Sequence, residues 1–235
     1  MNQSLARVKA EFVFPAFFLK ALPQIVTGGL LPVILYKIFQ RERIMFFRIV
    51  RKIAWVLAHI LYRFEVSGME NIPKEGNFLL CANHISALDP IMLAIFMKRQ
   101  PRFMGKKELF RFWIVDKFLR ALGAFPVDRA AADLAAYRTS MEVLKRGHGL
   151  IIFSQGTRMK DFEGAKGGVA MFALKSGAPI VPAGINGPFK FRRKITIRVG
   201  EPIFMEPYAG RKVKTDLIEE LMGIVVGKVE NLLDN

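Results

Sequence analysis

Cysteine is nearly absent from this sequence: Cys81 is the only one in 235 residues. A lone cysteine excludes an intrachain disulfide and any zinc site built on clustered thiolates, and it suits a reducing, cytoplasm-facing location. Acidic residues are scarce as well, with 20 Asp and Glu against 36 Lys and Arg and a net charge of +16. Missing too is any long uncharged apolar run. The longest, Ala21–Tyr36, has sixteen residues and contains Pro23, Gly28, Gly29 and Pro32. As a helix it would reach about 24 Å at ~1.5 Å per residue, short of the roughly 30 Å of hydrocarbon that a span must cross. A secretory signal is not expected, because the apolar region starts late, holds Lys20 and lacks a small-residue cleavage site.

What the chain does have is apolar bulk: 52% of it is hydrophobic, with 21 Phe. A protein both basic and apolar suits an anionic membrane surface. Nucleic acid, the usual partner of basic proteins, is not expected, since no helix-turn-helix signature, zinc-ligand spacing or aromatic RNA-binding strand motif occurs. Residues 1–64 carry ten Lys or Arg against only Glu11 and Glu42. Within them, Ile44–Phe64 interleaves apolar residues such as Phe46, Ile49, Trp55 and Ile60 with Arg48, Arg51, Lys52 and Arg63. Two amphipathic helices of this kind can lie in one leaflet, with Lys and Arg reaching lipid phosphates. The expected organisation is a monotopic anchor over 1–64, on the cytoplasmic face of the cell membrane, and an α/β domain over 65–235.

From residue 70 onward, short apolar runs alternate with amphipathic stretches, the pattern of an α/β domain. The runs predict strands at Asn77–Ala82, Phe103–Gly105, Ala124–Val127, Leu150–Phe153, Ile180–Ile185 and Ile195–Val199. Helices are predicted at Pro90–Met97, Lys107–Leu122, Ala130–Lys145, Gly167–Lys175 and Val213–Leu233. There is no internal repeat and no low-complexity linker.

The sharpest motif is Asn83-His84-Ile85-Ser86-Ala87-Leu88-Asp89-Pro90, between a predicted strand and a predicted helix. Pro90 fits the first helical position, which makes Asp89 the expected N-cap, its carboxylate turned back toward the His84 ring. A carboxylate on one imidazole nitrogen fixes the tautomer, frees the other nitrogen to take a proton and stabilises the imidazolium. An acceptor that brings its own hydroxyl needs no Ser or Cys nucleophile; a histidine base can activate it directly. His59, in the basic amphipathic stretch, and His148, between two glycines, lack an acid at comparable spacing and are read as non-catalytic.

A second constellation, Phe153-Ser154-Gln155-Gly156-Thr157-Arg158, follows a predicted strand and joins a permissive glycine to a guanidinium fork suited to phosphate. Lys106 and Arg129 also follow predicted strands. Ligands of open α/β sheets collect beyond the carboxyl ends of strands, so these segments could share one pocket.

Together the motifs resemble those of the glycerolipid acyltransferase family, most closely its bacterial 1-acyl-glycerol-3-phosphate members, over roughly residues 67–205. His84 and Asp89 match the first block, whose histidine is the family's general base. Gly123–Arg129 resembles the second, whose arginine is implicated in glycerophosphate binding. Phe153–Arg158 resembles the third and Ile180–Ile185 the proline-bearing fourth; Lys106-Lys107-Glu108-Leu109 resembles the basic segment between the first two. Departures are Ser154 for a usual proline, Met159 for a common serine and Gln155 for a usual glutamate. The last loses a charge and puts acceptor preference in question.

The resemblance implies a mixed α/β sheet flanked by helices, His84 and Asp89 as catalytic residues, and substrate contacts from Lys106, Arg129, Gln155, Gly156, Thr157 and Arg158. It implies acyl transfer from acyl-carrier protein or acyl-CoA to lysophosphatidic acid, with no metal, nucleotide or covalent acyl-enzyme. Two other functions stay open: acylation of another lysophospholipid or of glycerol-3-phosphate, and non-catalytic binding of anionic lipid.

Overall fold

Phe78–Ala82 is apolar at all five positions and buried at all five. A strand with no polar alternation needs cover on both faces, and that condition places it inside an α/β sheet. In this computed structural model the described residues are 31–127, 134–153, 167–208 and 210–234, with side chains described from residue 44. The chain divides into two compact units, residues 1–48 and 49–235. The sheet lies in the second.

In chain order the elements are α1 (Leu31–Leu61), β1 (Arg63–Ser67), β2 (Phe78–Ala82), α2 (Asp89–Phe96), β3 (Arg102–Lys106), α3 (Trp113–Leu122) and β4 (Ala124–Val127). They continue as α4 (Leu134–Lys145), β5 (Gly149–Phe153), α5 (Gly168–Ser176), β6 (Ile180–Asn186), β7 (Lys194–Val199) and α6 (Thr215–Asp234). The strands form one sheet in the order β1-β7-β6-β2-β5-β3-β4. Pairing is parallel except between β6 and β7, so β1 and β7 run against the other five. The expected mixed α/β sheet is thus observed.

Alternation divides β2 between two cores. Leu79 and Cys81 join Leu150, Ile180, Ala170, Phe172, Leu221 and Val225 in a cluster contributed by the sheet, α5 and α6. Phe78, Leu80 and Ala82 point to the opposite face, also without solvent exposure. Cys81 therefore serves as a small core hydrophobe.

One polar clamp joins segments remote in sequence. The Arg99 guanidinium donates to the carbonyls of Pro73, Gly76 and Gly147, each at 2.8 Å, and lies 5.4 Å from the Phe78 ring centre. Burial pushes this guanidinium below its ordinary pKa. Gly76 and Gly147 adopt φ near +74°, a conformation that suits glycine at both turns.

The described part of the N-terminal region is a single helix. Most of Ala21–Tyr36 lies outside the described residues, and Ile44–Leu61 belongs to a helix that begins earlier, at Leu31. From Ile49 on, α1 buries Ala54 and Ala58 and leaves Ile53, Leu57 and Ile60 more than half exposed. No described helix is long and apolar enough to cross a membrane. Arg63 and Phe64, read from the sequence as the end of the anchor, instead open β1, paired with Lys194 and Ile195 of β7.

Candidate active site

The register of the parallel strands places the chemistry along the edge of the sheet formed by their carboxyl ends. Ala82 at the end of β2 is level with Phe153 at the end of β5, and Lys106 at the end of β3 is level with Val127 at the end of β4. His84 follows Ala82 by two residues, on the loop into α2. Asn83 fixes where that loop starts. Its side chain accepts from Ile185 N and donates to Ile185 O, both at 2.8 Å, which ties the end of β2 to β6. Asn83 is 2% exposed, so breaking the bridge would leave buried polar atoms unsatisfied.

The loop closes on the carboxylate of Asp89. Oδ2 lies 2.8 Å from His84 Nδ1 and accepts from Ile85 N at 2.7 Å and Ser86 N at 2.8 Å. Asp89 has no solvent exposure, and its Oδ1 finds no partner among the described residues. One buried oxygen thus holds both the imidazole and the backbone that carries it. The carboxylate turns backward to those amides as expected, but Asp89 is the first residue of α2 rather than its N-cap. That position falls to Leu88, which supplies no side-chain cap, and Pro90 lies within the first two helical positions.

The His84 ring stacks on Phe153, centroids 4.4 Å apart at 28°. Its side chain is 27% exposed. With Nδ1 on Asp89, Nε2 is the nitrogen left for a ligand, and a carboxylate partner at Nδ1 places the neutral ring's proton there. The arrangement can therefore accept a proton at Nε2. The sequence places Phe153 at the end of a strand and the start of a motif; its stacking depends on strand register, which neither reveals.

The remaining predicted site residues divide in two. Lys106 ends β3 at the same sheet edge, but its ammonium lies 3.9 Å from Glu108 Oε2 rather than on the His84 loop, and it is 56% exposed. Arg129, Gln155, Gly156, Thr157 and Arg158 lie outside the described residues. The other histidines have structural surroundings: His59 Nδ1 is 2.8 Å from Trp55 O, with its ring among Trp55, Phe64 and Phe96. His148 N donates to Val143 O in the turn before β5.

Comparison with known proteins points the same way. A 1-acyl-sn-glycerol-3-phosphate acyltransferase of Bacillus subtilis (strain 168) is 32% identical over 179 residues, covering 72% of this chain and 89% of that protein. The protein of the same name from Streptococcus pneumoniae is 34% identical over 142 residues, 57% of this chain and 53% of that one. The crystal structure of the 1-acyl-sn-glycerophosphate (LPA) acyltransferase from Thermotoga maritima superposes with a TM-score of 0.63 at 27% identity, over 86% of this chain and 87% of that one. Residues 63–186, from the first strand through β6 with the His84–Asp89 loop between, match the acyltransferase family model, and the chain belongs to that family.

Proposed function

We propose that the protein transfers a fatty acyl group from acyl-carrier protein or acyl-CoA to the sn-2 hydroxyl of 1-acyl-sn-glycerol-3-phosphate, giving phosphatidic acid in phospholipid synthesis. The observation that carries this reading is the His84 ring held by a buried Asp89 at 2.8 Å, with its other nitrogen left for a hydroxyl. His84 Nε2 takes the acceptor's proton as its oxygen attacks the thioester carbonyl. The tetrahedral intermediate then collapses, the C–S bond breaks, and the imidazolium returns the proton to the departing thiolate. Asp89 positions the ring and stabilises its charged form.

Lys106, Arg129 and Arg158 supply cationic partners for the acceptor phosphate, with Gln155, Gly156 and Thr157 shaping its contacts. Gln155 leaves that pocket without the charge of the family's usual glutamate. The basic, apolar N-terminal region holds the enzyme on an anionic membrane, monotopic on the cytoplasmic face, where the acceptor resides.

The test incubates purified full-length protein with lysophosphatidic acid and each acyl donor, following thiol release and labelled phosphatidic acid. Stoichiometric thiol and phosphatidic acid support the reading. Neither product with lysophosphatidic acid, but turnover with another lysophospholipid or with glycerol-3-phosphate, would move the activity to that acceptor. Vesicle binding without any thiol release would make the protein a lipid-binding one.

A further inference from the structure

The turn after β3 and the first turn of α3 form an apolar surface that the catalytic reading does not use. Leu109, Phe112, Trp113 and Ile114 are 47%, 69%, 68% and 63% exposed. The core-facing residues of α3, Leu119, Ala121 and Leu122, all belong to its C-terminal half, so its first turn projects past the core. Phe112 occupies the N-cap position and makes no side-chain cap. A water-facing helix start ordinarily carries Ser, Asp or Asn there.

The segment is held rather than loose. Phe110 packs over Gly105, where an added Cβ would come within 2.8 Å of the ring, and the Arg120 guanidinium lies 5.2 Å from the Phe110 ring centre. Basic groups accompany the apolar ones: Lys107 and Arg111 are exposed, and the Lys117 ammonium lies 4.9 Å from the Trp113 ring centre. Lys106–Arg120 holds five basic and two acidic residues. The segment leaves the sheet edge that carries His84, and α3 touches α2, the helix of Asp89.

An amphipathic ring with an ammonium on its face suits the headgroup level of a bilayer. Phe and Ile can then enter the acyl region while Lys and Arg meet lipid phosphate. We infer that Phe112, Trp113 and Ile114 form a membrane-inserting wedge on the catalytic domain itself, separate from the N-terminal region, which seats the His84 edge against an anionic bilayer. The assignment rests on the proposed lipid acceptor, yet its test needs no catalysis.

Trp55 and Trp113 are the only tryptophans, so Trp55→Phe in the full chain leaves Trp113 as the sole indole reporter. With vesicles of phosphatidylcholine and phosphatidylglycerol carrying shallow doxyl-labelled lipid, Trp113 emission should shift to the blue, be quenched at least twofold and lose acrylamide access. Phe112→Ser with Ile114→Ser should abolish that quenching while flotation with the vesicles persists and turnover of a short-chain, water-soluble acceptor stays within threefold. Vesicle-bound protein whose Trp113 stays fully open to acrylamide would overturn the inference. So would a double variant that keeps the quenching but raises KM for acyl-carrier protein, because the surface would then dock that protein instead. A Trp55→Phe protein that shows the quenching but turns over no acceptor would count against the proposed reaction alone and leave the wedge standing.

Discussion

Replacing Asp89 with Asn separates two jobs of this carboxylate. Oδ2 accepts from His84 Nδ1, Ile85 N and Ser86 N, whereas Oδ1 is buried with no described partner. Two backbone donors aimed at one position select the amide oxygen of an asparagine for it, because an NH2 group there would face N–H groups. The new NH2 then takes the place of Oδ1. The oxygen still accepts from Nδ1–H, so the loop and the tautomer survive. What is lost is the negative charge beside the imidazolium formed in the transition state. Opposite charges about 4 Å apart interact by roughly 4 kcal/mol at an effective dielectric of ~20. At 1.36 kcal/mol per decade that is a fall of about 10³ in kcat. The assay is steady-state thiol release with saturating donor and acceptor, paired with the nitrogen-15 shifts of His84, which report the tautomer. A kcat within threefold of wild type, with the Nδ1–H tautomer retained, would refute the argument that this charge stabilises an imidazolium. A fall accompanied by the Nε2–H tautomer would instead show that Asp89 acts through tautomer choice.

His84→Ala should lower kcat by at least the 10²–10⁴ expected of a general base. Its thermal melt should stay near that of the wild type, because the ring is partly exposed and Asn83 still pins the loop. Arg129→Ala and Arg158→Ala should raise KM for lysophosphatidic acid about tenfold or more with little change for the acyl donor, since a phosphate loses a charge-assisted pair; steady-state titration of each substrate separates the two. Arg99→Ala removes three charge-assisted bonds to backbone carbonyls and should cost about 2 kcal/mol, some of it recovered by hydration at the exposed turns. In a unit of this size that is roughly a 4–8 °C lower Tm by calorimetry, with no direct effect on the chemistry.

The sheet was legible because its central strands are buried on both faces and so read as unbroken apolar runs bounded by turns. All six predicted strands occur, and their ends shift by at most one residue. The strand that escaped notice, Arg63–Ser67, lies at the sheet edge, and Arg, Glu and Ser alternate there with Phe and Val. That alternation continues directly from the basic, apolar pattern of α1. Apolar periodicity alone could not divide the two, and β7, which pairs with β1, begins more than a hundred residues later. The predicted helix over 107–122 is in fact a 3-10 turn, Lys107–Arg111, followed by α3. The division falls at Phe112, whose backbone is extended.

The His84–Asp89 contact was legible for a reason the structure makes explicit. Four residues between histidine and aspartate form the short return that lets one carboxylate oxygen reach the ring and two intervening amides. A shorter spacing would give up a backbone donor and a longer one would leave loop amides to find other partners, so spacing and chemistry are parts of one constraint. The residues around that pair were less legible because long-range pairing positions them. Phe153 reaches the ring only because β5 lies in register beside β2, and Asn83 finds Ile185 only because β6 lies on the other side. Lys106 shows the converse case. Its sequence position after a strand predicts the correct edge, but β5 stands between β3 and β2, and a flexible lysine two strands away is not held at the imidazole by any observed contact. Parallel topology thus accounts for which segments share the edge, while hydrogen bonding within the loop decides which of their side chains is fixed before a substrate arrives.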